Sequence, residues 1–200
     1  MSTRLPKIIA VCGLMRSGKD TVSNYLVDQY GYQNVKIADT LKKTLGVLFG
    51  FNHDQLEGNK KDALDPYWEI TPREAMQFFG TEIMQYEIQK LLPNIGRKFW
   101  MSSLLGKLST DPDQLYVISD MRFVHEYECL VNKFDRKNVF IIKISRPDVT
   151  CNPCKHSSES EYEFIKEDVM IINDDTITSL HKKIDNLINQ IGQHDDQTSY

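Results

Sequence analysis

The sequence has few cysteines, no surplus of positive charge and no long apolar run, and each absence excludes a class of protein. Four cysteines in 200 residues are too few for a disulfide framework, so we expect a reducing, cytoplasmic location. The formal net charge of −4 argues against broad binding of nucleic acid polymers or anionic membranes. No apolar run approaches the roughly 20 residues of a bilayer span, and no targeting pattern is visible. We therefore expect a soluble protein without nucleic acid or membrane partners.

The composition that is present fits one globular domain. Apolar residues make up 40% of the chain and charged residues 26%, which is ordinary for a soluble protein with one sizeable core. No internal repeat or low-complexity tract is visible. We therefore predict a single domain over residues 1–200.

Residues 7–21 carry the strongest functional signal. A β-branched apolar run from Ile8 to Cys12 predicts a buried strand, and the glycine and lysine pattern of a phosphate-binding P-loop follows it. Gly13 and Gly18 lack a Cβ, which lets backbone N–H groups curl around a phosphate. Lys19 adds an ammonium beside the β and γ oxygens, where the positive end of the next helix also points. The stretch predicts a nucleotide-binding protein.

One P-loop position departs from the usual pattern. Asp20 stands where a Ser or Thr hydroxyl would bind Mg²⁺, and Thr21 follows it. A carboxylate is also a hard oxygen ligand, so we predict that Asp20 binds the metal, directly or through water. Thr21 is then left for an α-phosphate oxygen. The motif thus predicts ATP and Mg²⁺ as cofactors.

The rest of the chain alternates strands with helices. Four further apolar runs predict strands at 35–38, 115–119, 139–144 and 169–172. Such alternation predicts a parallel sheet with helices on both faces, in an α/β fold of the three-layer α/β/α P-loop type. Residues of about 44–108 lack strand patterns and predict a helical insertion, in which we expect an acceptor to bind because of the residues described next. The polar, irregular stretch of about 146–167 predicts a lid.

Several residues in the helical insertion and just before it could bind an acceptor. Lys42 follows the second predicted strand, where ligands of open α/β sheets collect, although a solvated lysine is the simpler alternative. Arg73 and Gln77 lie one turn apart, so a guanidinium could grip a phosphate while the amide contacts a base edge. Gly80, with Thr81 after it, predicts a break or a close approach of ligand. Trp100 is either a core residue or one wall of a base pocket.

Two more features lie in the second half of the chain. Asp120 follows an apolar strand, where P-loop enzymes hold Mg²⁺ or its waters, and Arg122 can point into the same cleft. Cys151 and Cys154, with His156 nearby, have the spacing of a zinc half-site. No second cysteine pair follows, so a Pro-containing turn is the simpler interpretation.

Motifs along nearly the whole chain resemble those of a known family. They are Gly-Leu-Met-Arg-Ser-Gly-Lys-Asp-Thr at 13–21, Ile-Ala-Asp-Thr-Leu-Lys at 37–42, Pro-Arg-Glu-Ala-Met-Gln-Phe-Phe-Gly-Thr-Glu at 72–82, Ser-Asp-Met-Arg-Phe at 119–123, Arg-Pro at 146–147, His-Ser-Ser-Glu at 156–159 and Ile-Asn-Asp at 172–174. Together and in this order, they resemble the deoxynucleoside monophosphate kinase family of T-even phages and large DNA viruses. A viral member would act in the cytoplasm of its host cell.

The resemblance implies transfer of the ATP γ-phosphoryl group to a deoxynucleoside 5′-monophosphate (dNMP). It implies that ATP is bound by Gly13, Ser17, Gly18, Lys19, Asp20, Thr21 and Arg146. It implies that the acceptor is bound by Leu41, Lys42, Arg73, Gln77, Gly80, Thr81, Trp100, Asp120, Arg122, Glu126 and Glu159. The catalytic groups would be Lys19, Arg16, which would bridge the two phosphate groups, Asp120 and Arg122, with Asp20 as the metal ligand.

Some questions stay open at this stage. Met15 stands where some relatives carry a basic residue, and the middle insertion is shorter than in some phage members, so base preference does not transfer. Ribose selectivity and a homodimeric state are also undecided. Animal-type phosphomevalonate kinase is an alternative, although the block at 72–100, with Gln77, the Gly80 and Thr81 pair and Trp100, suits a nucleobase better. A non-catalytic nucleotide-binding regulatory protein is the alternative of another class, against which the retained cations and carboxylates argue.

Overall fold

The computed structural model describes residues 5–108, 113–149 and 161–194. The strands described in these ranges are β1 Ile8–Cys12, β2 Gln33–Val35, β3 Tyr116–Ile118, β4 Val139–Ser145 and β5 Val169–Ile172. They form one sheet in the order β2-β3-β1-β4-β5, and every pairing is parallel. The predicted α/β class with a parallel sheet is therefore confirmed.

The chain divides into two compact units, Met1–Lys36 with Leu108–Tyr200 and Ile37–Lys107. The first contains the sheet and the helices α1 Lys19–Tyr30, α6 Val124–Lys133 and α7 Ile177–His194, with short 3₁₀ turns at Arg136–Asn138 and Glu161–Phe164. The second contains α2 Asp39–Phe49, α3 His53–Leu56, α4 Pro72–Gln77, a π-helix at Phe78–Tyr86, a 3₁₀ turn at Glu87–Lys90 and nearly all of α5 Phe99–Leu108. The predicted helical insertion was placed at about 44–108, whereas the second unit begins at Ile37.

The strand order places helices on both faces of the sheet. The connection from β1 through α1 to β2 steps over β3 in one direction, whereas that from β3 through α6 to β4 steps over β1 in the other. Right-handed crossovers that run in opposite directions lie on opposite faces. The three-layer architecture predicted from the alternation of strands and helices is thereby explained.

The second strand lies earlier than the sequence indicated. It was predicted at 35–38, but the structure has it at Gln33–Val35, paired with Tyr116–Ile118 of β3. Because β3 ends at Ile118, residues after Val35 have no neighbouring strand to pair with. Ile37 and Ala38 instead form a turn that leads directly into α2.

The core of the first unit lies between the sheet and two helices. Val11 of β1 and Ile144 of β4 pack with Leu26 of α1 and with Leu180 and Ile184 of α7, all at most 2% exposed. Each such side chain contributes roughly 1.5–3 kcal/mol of transfer free energy when fully buried. This core fixes the first turn of α1 against the carboxyl ends of the strands.

Helix α4 of the second unit begins with a capping box. The hydroxyl of Thr71 accepts a hydrogen bond from the N–H of Glu74, while the Glu74 carboxylate accepts one from the N–H of Thr71. Pro72 fills the first helical position, as the sequence predicted. A separate apolar cluster holds the unit together, formed by Leu41, Leu45, Phe51, Leu56 and Ala75.

Of the helices that the structure describes, none combines the length and the apolar character that a bilayer span requires.

Candidate functional site

The P-loop occupies the turn between β1 and α1, and its two glycines are required by the backbone. Gly13 has a φ of 142°, and a Cβ there would lie 2.3 Å from the carbonyl oxygen of Ile144. Gly18 has a φ of 110°, and its Cβ would lie 2.6 Å from Nδ2 of Asn173. Any larger residue would collide at either position. Besides the predicted approach to a phosphate, these glycines therefore lie close to residues at the carboxyl ends of β4 and β5.

The loop carries groups that fit a phosphate. The Ser17 side chain is fully buried, and its Oγ has no hydrogen-bond partner. A buried polar atom without a partner is costly, and a phosphate oxygen would satisfy it. Lys19 Nζ donates to the carbonyl oxygens of Gly13 at 2.9 Å and Leu14 at 2.6 Å, so the ammonium is folded back over the loop. The residues present thus fit the predicted nucleotide phosphates.

Asn173 lies far from the P-loop in sequence but bonds to it, which the sequence did not indicate. Its Nδ2 donates to the carbonyl oxygen of Ser17 at 2.9 Å, across 156 positions of sequence. It follows β5 directly, and its own N–H donates to the carbonyl oxygen of Ser145 at 2.7 Å. The Ile-Asn-Asp motif was noted, but its sequence position gives no sign that the amide would hold the P-loop.

The residues around Asp20 bear on the predicted metal site. The Asp20 side chain is 79% exposed, and its Oδ1 lies 3.7 Å from Nζ of Lys36, a cation that the sequence did not implicate. Within residues 5–108, 113–149 and 161–194, no three His, Cys, Asp or Glu side chains gather as a metal-binding group. A bound Mg²⁺ would therefore rely on Asp20 together with phosphate oxygens and water, which suits its reluctance to lose its hydration shell. Thr21 is half-buried in the first turn of α1.

Other predicted donor-side residues lie at the same edge of the sheet. Arg16 is exposed and has a positive φ of 65°, a conformation that non-glycine residues adopt rarely. Arg146 follows β4 and lines a cavity of about 260 Å³ with Leu14 and Tyr162. Asp120 lies two residues beyond Ile118, whose register partner is Ala10 of β1. The parallel register therefore brings the carboxyl end of β3 beside the start of the P-loop.

Glu126 has a structural role that the sequence did not indicate. The carboxylate is 5% exposed, and its Oε2 accepts from the backbone N–H groups of Arg122 at 2.7 Å and Phe123 at 3.0 Å. Burial raises the pKa of Glu126 to about 8, although the two N–H donors act in the opposite direction. These contacts fix the turn that carries Asp120 and Arg122. Direct contact between Glu126 and an acceptor stays a prediction.

Three predicted acceptor residues come together in the second unit. Trp100 Nε1 donates to the carbonyl oxygen of Gly80 at 2.9 Å, and a Cβ on Gly80 would lie 2.7 Å from Cδ2 of Leu41. The sequence predicted a break or a close approach of ligand near Gly80. The structure has a change from α-helix to π-helix at Phe78, with Gly80 and Thr81 buried, and the approach of a ligand stays a prediction. Turns of π-helix are frequent at functional sites.

The two predicted acceptor cations of the second unit, Lys42 and Arg73, are both paired. Lys42 Nζ donates to both carboxylate oxygens of Glu57 at 2.8 Å. The Arg73 guanidinium forms a fork with the Asp62 carboxylate. Gln77 ends α4, one turn after Arg73, and is half-buried. The structure thus identifies two carboxylates at this site that were not predicted from the sequence.

Some predictions fall outside the described residues. Glu159, the predicted acceptor contact in the lid, lies there, as do Cys151, Cys154 and His156 of the cysteine-containing turn.

Comparisons with known proteins identify a family and a fold. A family model described as deoxynucleotide monophosphate kinase matches residues 7–65 and 51–184. An Acanthamoeba polyphaga mimivirus protein, provisionally named deoxynucleotide monophosphate kinase, is 29% identical over 197 residues, covering 93% of this chain and 98% of its own.

Two solved structures share the architecture. A gluconokinase from Sinorhizobium meliloti 1021 has a TM-score of 0.54 at 11% identity, with 98% of this chain and 99% of that chain covered. A dephospho-CoA kinase from Campylobacter jejuni has a TM-score of 0.50 at 14% identity, with 94% and 98% covered. At these identities the likeness concerns the fold alone, which is that of P-loop kinases.

Proposed function

The chain belongs to the deoxynucleotide monophosphate kinase family and is a kinase, and on that premise we propose that it transfers the γ-phosphoryl group of ATP to a dNMP, giving a dNDP and ADP. The observation that carries the donor half of the proposal is the P-loop with its unpartnered Ser17 hydroxyl. The family match names this nucleotide reaction, so phosphomevalonate is kept only as a comparison substrate.

The donor phosphates are proposed to bind over the P-loop. Backbone N–H groups between Gly13 and Gly18, the amino end of α1 and the Lys19 ammonium would all face the same polyanion. Lys19 already points toward the loop through its bonds to Gly13 and Leu14. Arg16 and Arg146 would add charge from the adjacent turns.

Mg²⁺ would be held by Asp20, with phosphate oxygens and water as the remaining ligands. When bound, the ion supplies charge neutralisation at the β and γ oxygens. Asp120, at the carboxyl end of β3, would bind water of its hydration shell. Lys36 lies 3.7 Å from Asp20 and would limit the carboxylate's freedom.

We predict that Asp20→Ala raises the Mg²⁺ concentration needed for half-maximal activity by roughly tenfold or more, because one anionic ligand is lost. The measurement is a Mg²⁺ titration at fixed ATP. Asp28→Ala is the control, since Asp28 is an exposed carboxylate later in the same helix. An unchanged Mg²⁺ midpoint in Asp20→Ala would remove Asp20 as a ligand.

The acceptor is proposed to bind through cations and a base pocket. Lys42, Arg73 and Arg122 would bind the monophosphate, while Trp100 and Gln77 would contact the base. Leu41, Gly80 and Thr81 would complete the pocket of the second unit, whereas Glu126 would act through the turn that it holds in the first. The acceptor phosphate is already largely ionised at neutral pH, so the reaction requires positioning and charge neutralisation rather than a general base.

A substrate panel tests the proposal. ADP release would be measured with dTMP, dGMP, dCMP, dAMP, UMP and phosphomevalonate at saturating ATP and Mg²⁺. We expect at least one dNMP to be phosphorylated at a rate far above that of phosphomevalonate. Turnover with phosphomevalonate alone would replace the proposed acceptor, and a lack of ADP with every acceptor would favour the regulatory alternative.

A further inference from the structure

The carboxylates that pair with the two acceptor cations come from one short segment, residues 57–62, which we call the counter-anion loop. Glu57 bonds Lys42 with both oxygens at 2.8 Å, and Asp62 forms the fork with Arg73. One segment therefore supplies an anion to each of the two predicted phosphate ligands of the second unit.

The backbone holds this loop independently of the ion pairs. The N–H of Glu57 donates to the carbonyl oxygen of His53 at 2.7 Å, and that of Lys60 donates to Asp54 at 3.1 Å. The carbonyl oxygen of Lys61 accepts from the N–H of Arg73 at 2.9 Å. The loop therefore keeps its position when either carboxylate side chain rotates away.

In both ion pairs the carboxylate is more exposed than the cation. The Asp62 side chain is 69% exposed and that of Glu57 is 31% exposed, whereas those of Arg73 and Lys42 are 28% and 15% exposed. Each carboxylate therefore has access to water, while each cation is held at a more buried position. A carboxylate placed in this way can leave its cation and stay solvated, which is what exchange for a ligand requires.

We propose, on the basis of the proposed function, that Glu57 and Asp62 are exchangeable counter-anions that set the affinity for the acceptor. In the free protein they hold Lys42 and Arg73 in place and satisfy their charge. The phosphate of a dNMP carries close to two negative charges at neutral pH, against one on each carboxylate. It displaces the carboxylates, which rotate into solvent, whereas singly charged anions compete with them poorly.

The proposal makes Glu57 and Asp62 determinants of phosphate recognition and not of base recognition. Glu57→Gln and Asp62→Asn each remove a competing charge and keep the side-chain shape. We expect each to lower the KM for the preferred dNMP of the panel roughly two- to fivefold. The double variant should show roughly the product of the two effects, provided that the two pairs are independent. The KM for ATP and the inhibition constant of the matching deoxynucleoside, which has no phosphate, should stay unchanged.

The matched control is Glu87→Gln. Glu87 also forms a carboxylate–lysine pair in the second unit, with Lys90, but neither residue is a predicted acceptor ligand. Glu87→Gln changes the net charge by the same amount as Glu57→Gln or Asp62→Asn. If the loss of one negative charge by itself lowered the KM for dNMP, the KM would therefore fall in Glu87→Gln as well. A KM for dNMP that is unchanged or raised in both Glu57→Gln and Asp62→Asn, with urea unfolding as in the wild type, would overturn the exchange.

Binding without turnover separates this proposal from the proposed function. If the wild-type protein makes no ADP with any dNMP, the kinase assignment to dNMP fails. The proposed exchange of counter-anions is then tested by calorimetry, which measures the Kd of inorganic phosphate for each protein. This Kd must still be lower for Glu57→Gln than for wild type and Glu87→Gln. Equal phosphate affinity in all three proteins would refute it.

Discussion

Replacing Lys19 by methionine is expected to lower kcat for dNMP phosphorylation roughly 10²- to 10³-fold. Methionine keeps most of the length of the side chain but removes the ammonium that we propose lies beside the β and γ oxygens of ATP. An electrostatic group that acts on developing charge in a site that excludes water contributes on this scale. The half-buried ammonium also bonds the carbonyl oxygens of Gly13 and Leu14, so the substitution removes a contact inside the loop as well. The measurement is ADP release at saturating ATP, Mg²⁺ and the preferred dNMP.

A second lysine separates this effect from a general loss of charge. Lys182→Met alters an exposed lysine of α7 in the same unit and should keep the wild-type kcat. Urea unfolding of Lys19→Met shows whether the bonds to Gly13 and Leu14 matter for folding. We expect this variant to be folded and to have the lowered kcat. Conversion of monophosphates by Lys19→Met within tenfold of the wild-type rate would contradict the proposed donor site.

Among the substitutions that we describe, replacing Lys143 by methionine is expected to lower the free energy of unfolding most, by about 2 to 3 kcal/mol. Lys143 is 8% exposed, and its Nζ donates to Glu167 at 2.7 Å and to the carbonyl oxygens of Ile165 and Glu163 at 3.1 and 3.3 Å. Removing the ammonium leaves a carboxylate and two carbonyls without this donor. Because the Glu167 side chain is 29% exposed, water can take over part of its solvation, which sets our figure below the usual cost of breaking a fully buried pair.

Lys143 connects the sheet to the predicted lid. It ties β4 to residues 163–167, which form the carboxyl-terminal end of the predicted lid. Urea unfolding at pH 7 measures the change in stability, and Lys183→Met is the matched control. Lys183 also bonds a carboxylate and a backbone carbonyl, those of Asp174 and Ile172, but at an exposed position where water can replace it. Its loss should therefore cost less than about 1 kcal/mol. Equal urea midpoints for Lys143→Met and wild type would show that the buried contact is energetically neutral.

The pH dependence of that stability follows from Glu167. The hydrogen bond from Lys143 holds the pKa of Glu167 below its ordinary value of 4.5. A lowered folded-state pKa contributes stability above the unfolded pKa and loses it as the pH falls through the folded value. The difference in free energy of unfolding between wild type and Lys143→Met should therefore be greatest above about pH 5 and shrink in acid. Urea unfolding of both proteins at a series of pH values measures it.

Local sequence signals predicted the parts of the structure that depend on near neighbours. The strand from Ile8 to Cys12, the tight backbone at Gly13 and Gly18 and the Thr71 cap were all predicted correctly, because such features depend mainly on residues within a few positions of one another. The family resemblance was also correct, because it used motifs spread in order over nearly the whole chain. The assigned roles of the individual site residues stay predictions.

Long-range contacts decided what the sequence did not indicate. An apolar strand pattern gives no sign that Lys143 is buried within it, and nothing near Glu57 or Asp62 marks them as partners of Lys42 and Arg73. The second strand was displaced because its end depends on where β3 ends, at Ile118, which lies far along the chain from its register partner Val35.

The sequence by itself therefore determined the P-loop, the alternation of strands and helices and the family. Only the tertiary structure decided the strand order, the bond from Asn173 to the P-loop and the carboxylates that pair with the acceptor cations. The physical reason is that propensities and caps act over one or two turns of chain. Buried partners and ion pairs are instead selected by which distant segments the fold brings together.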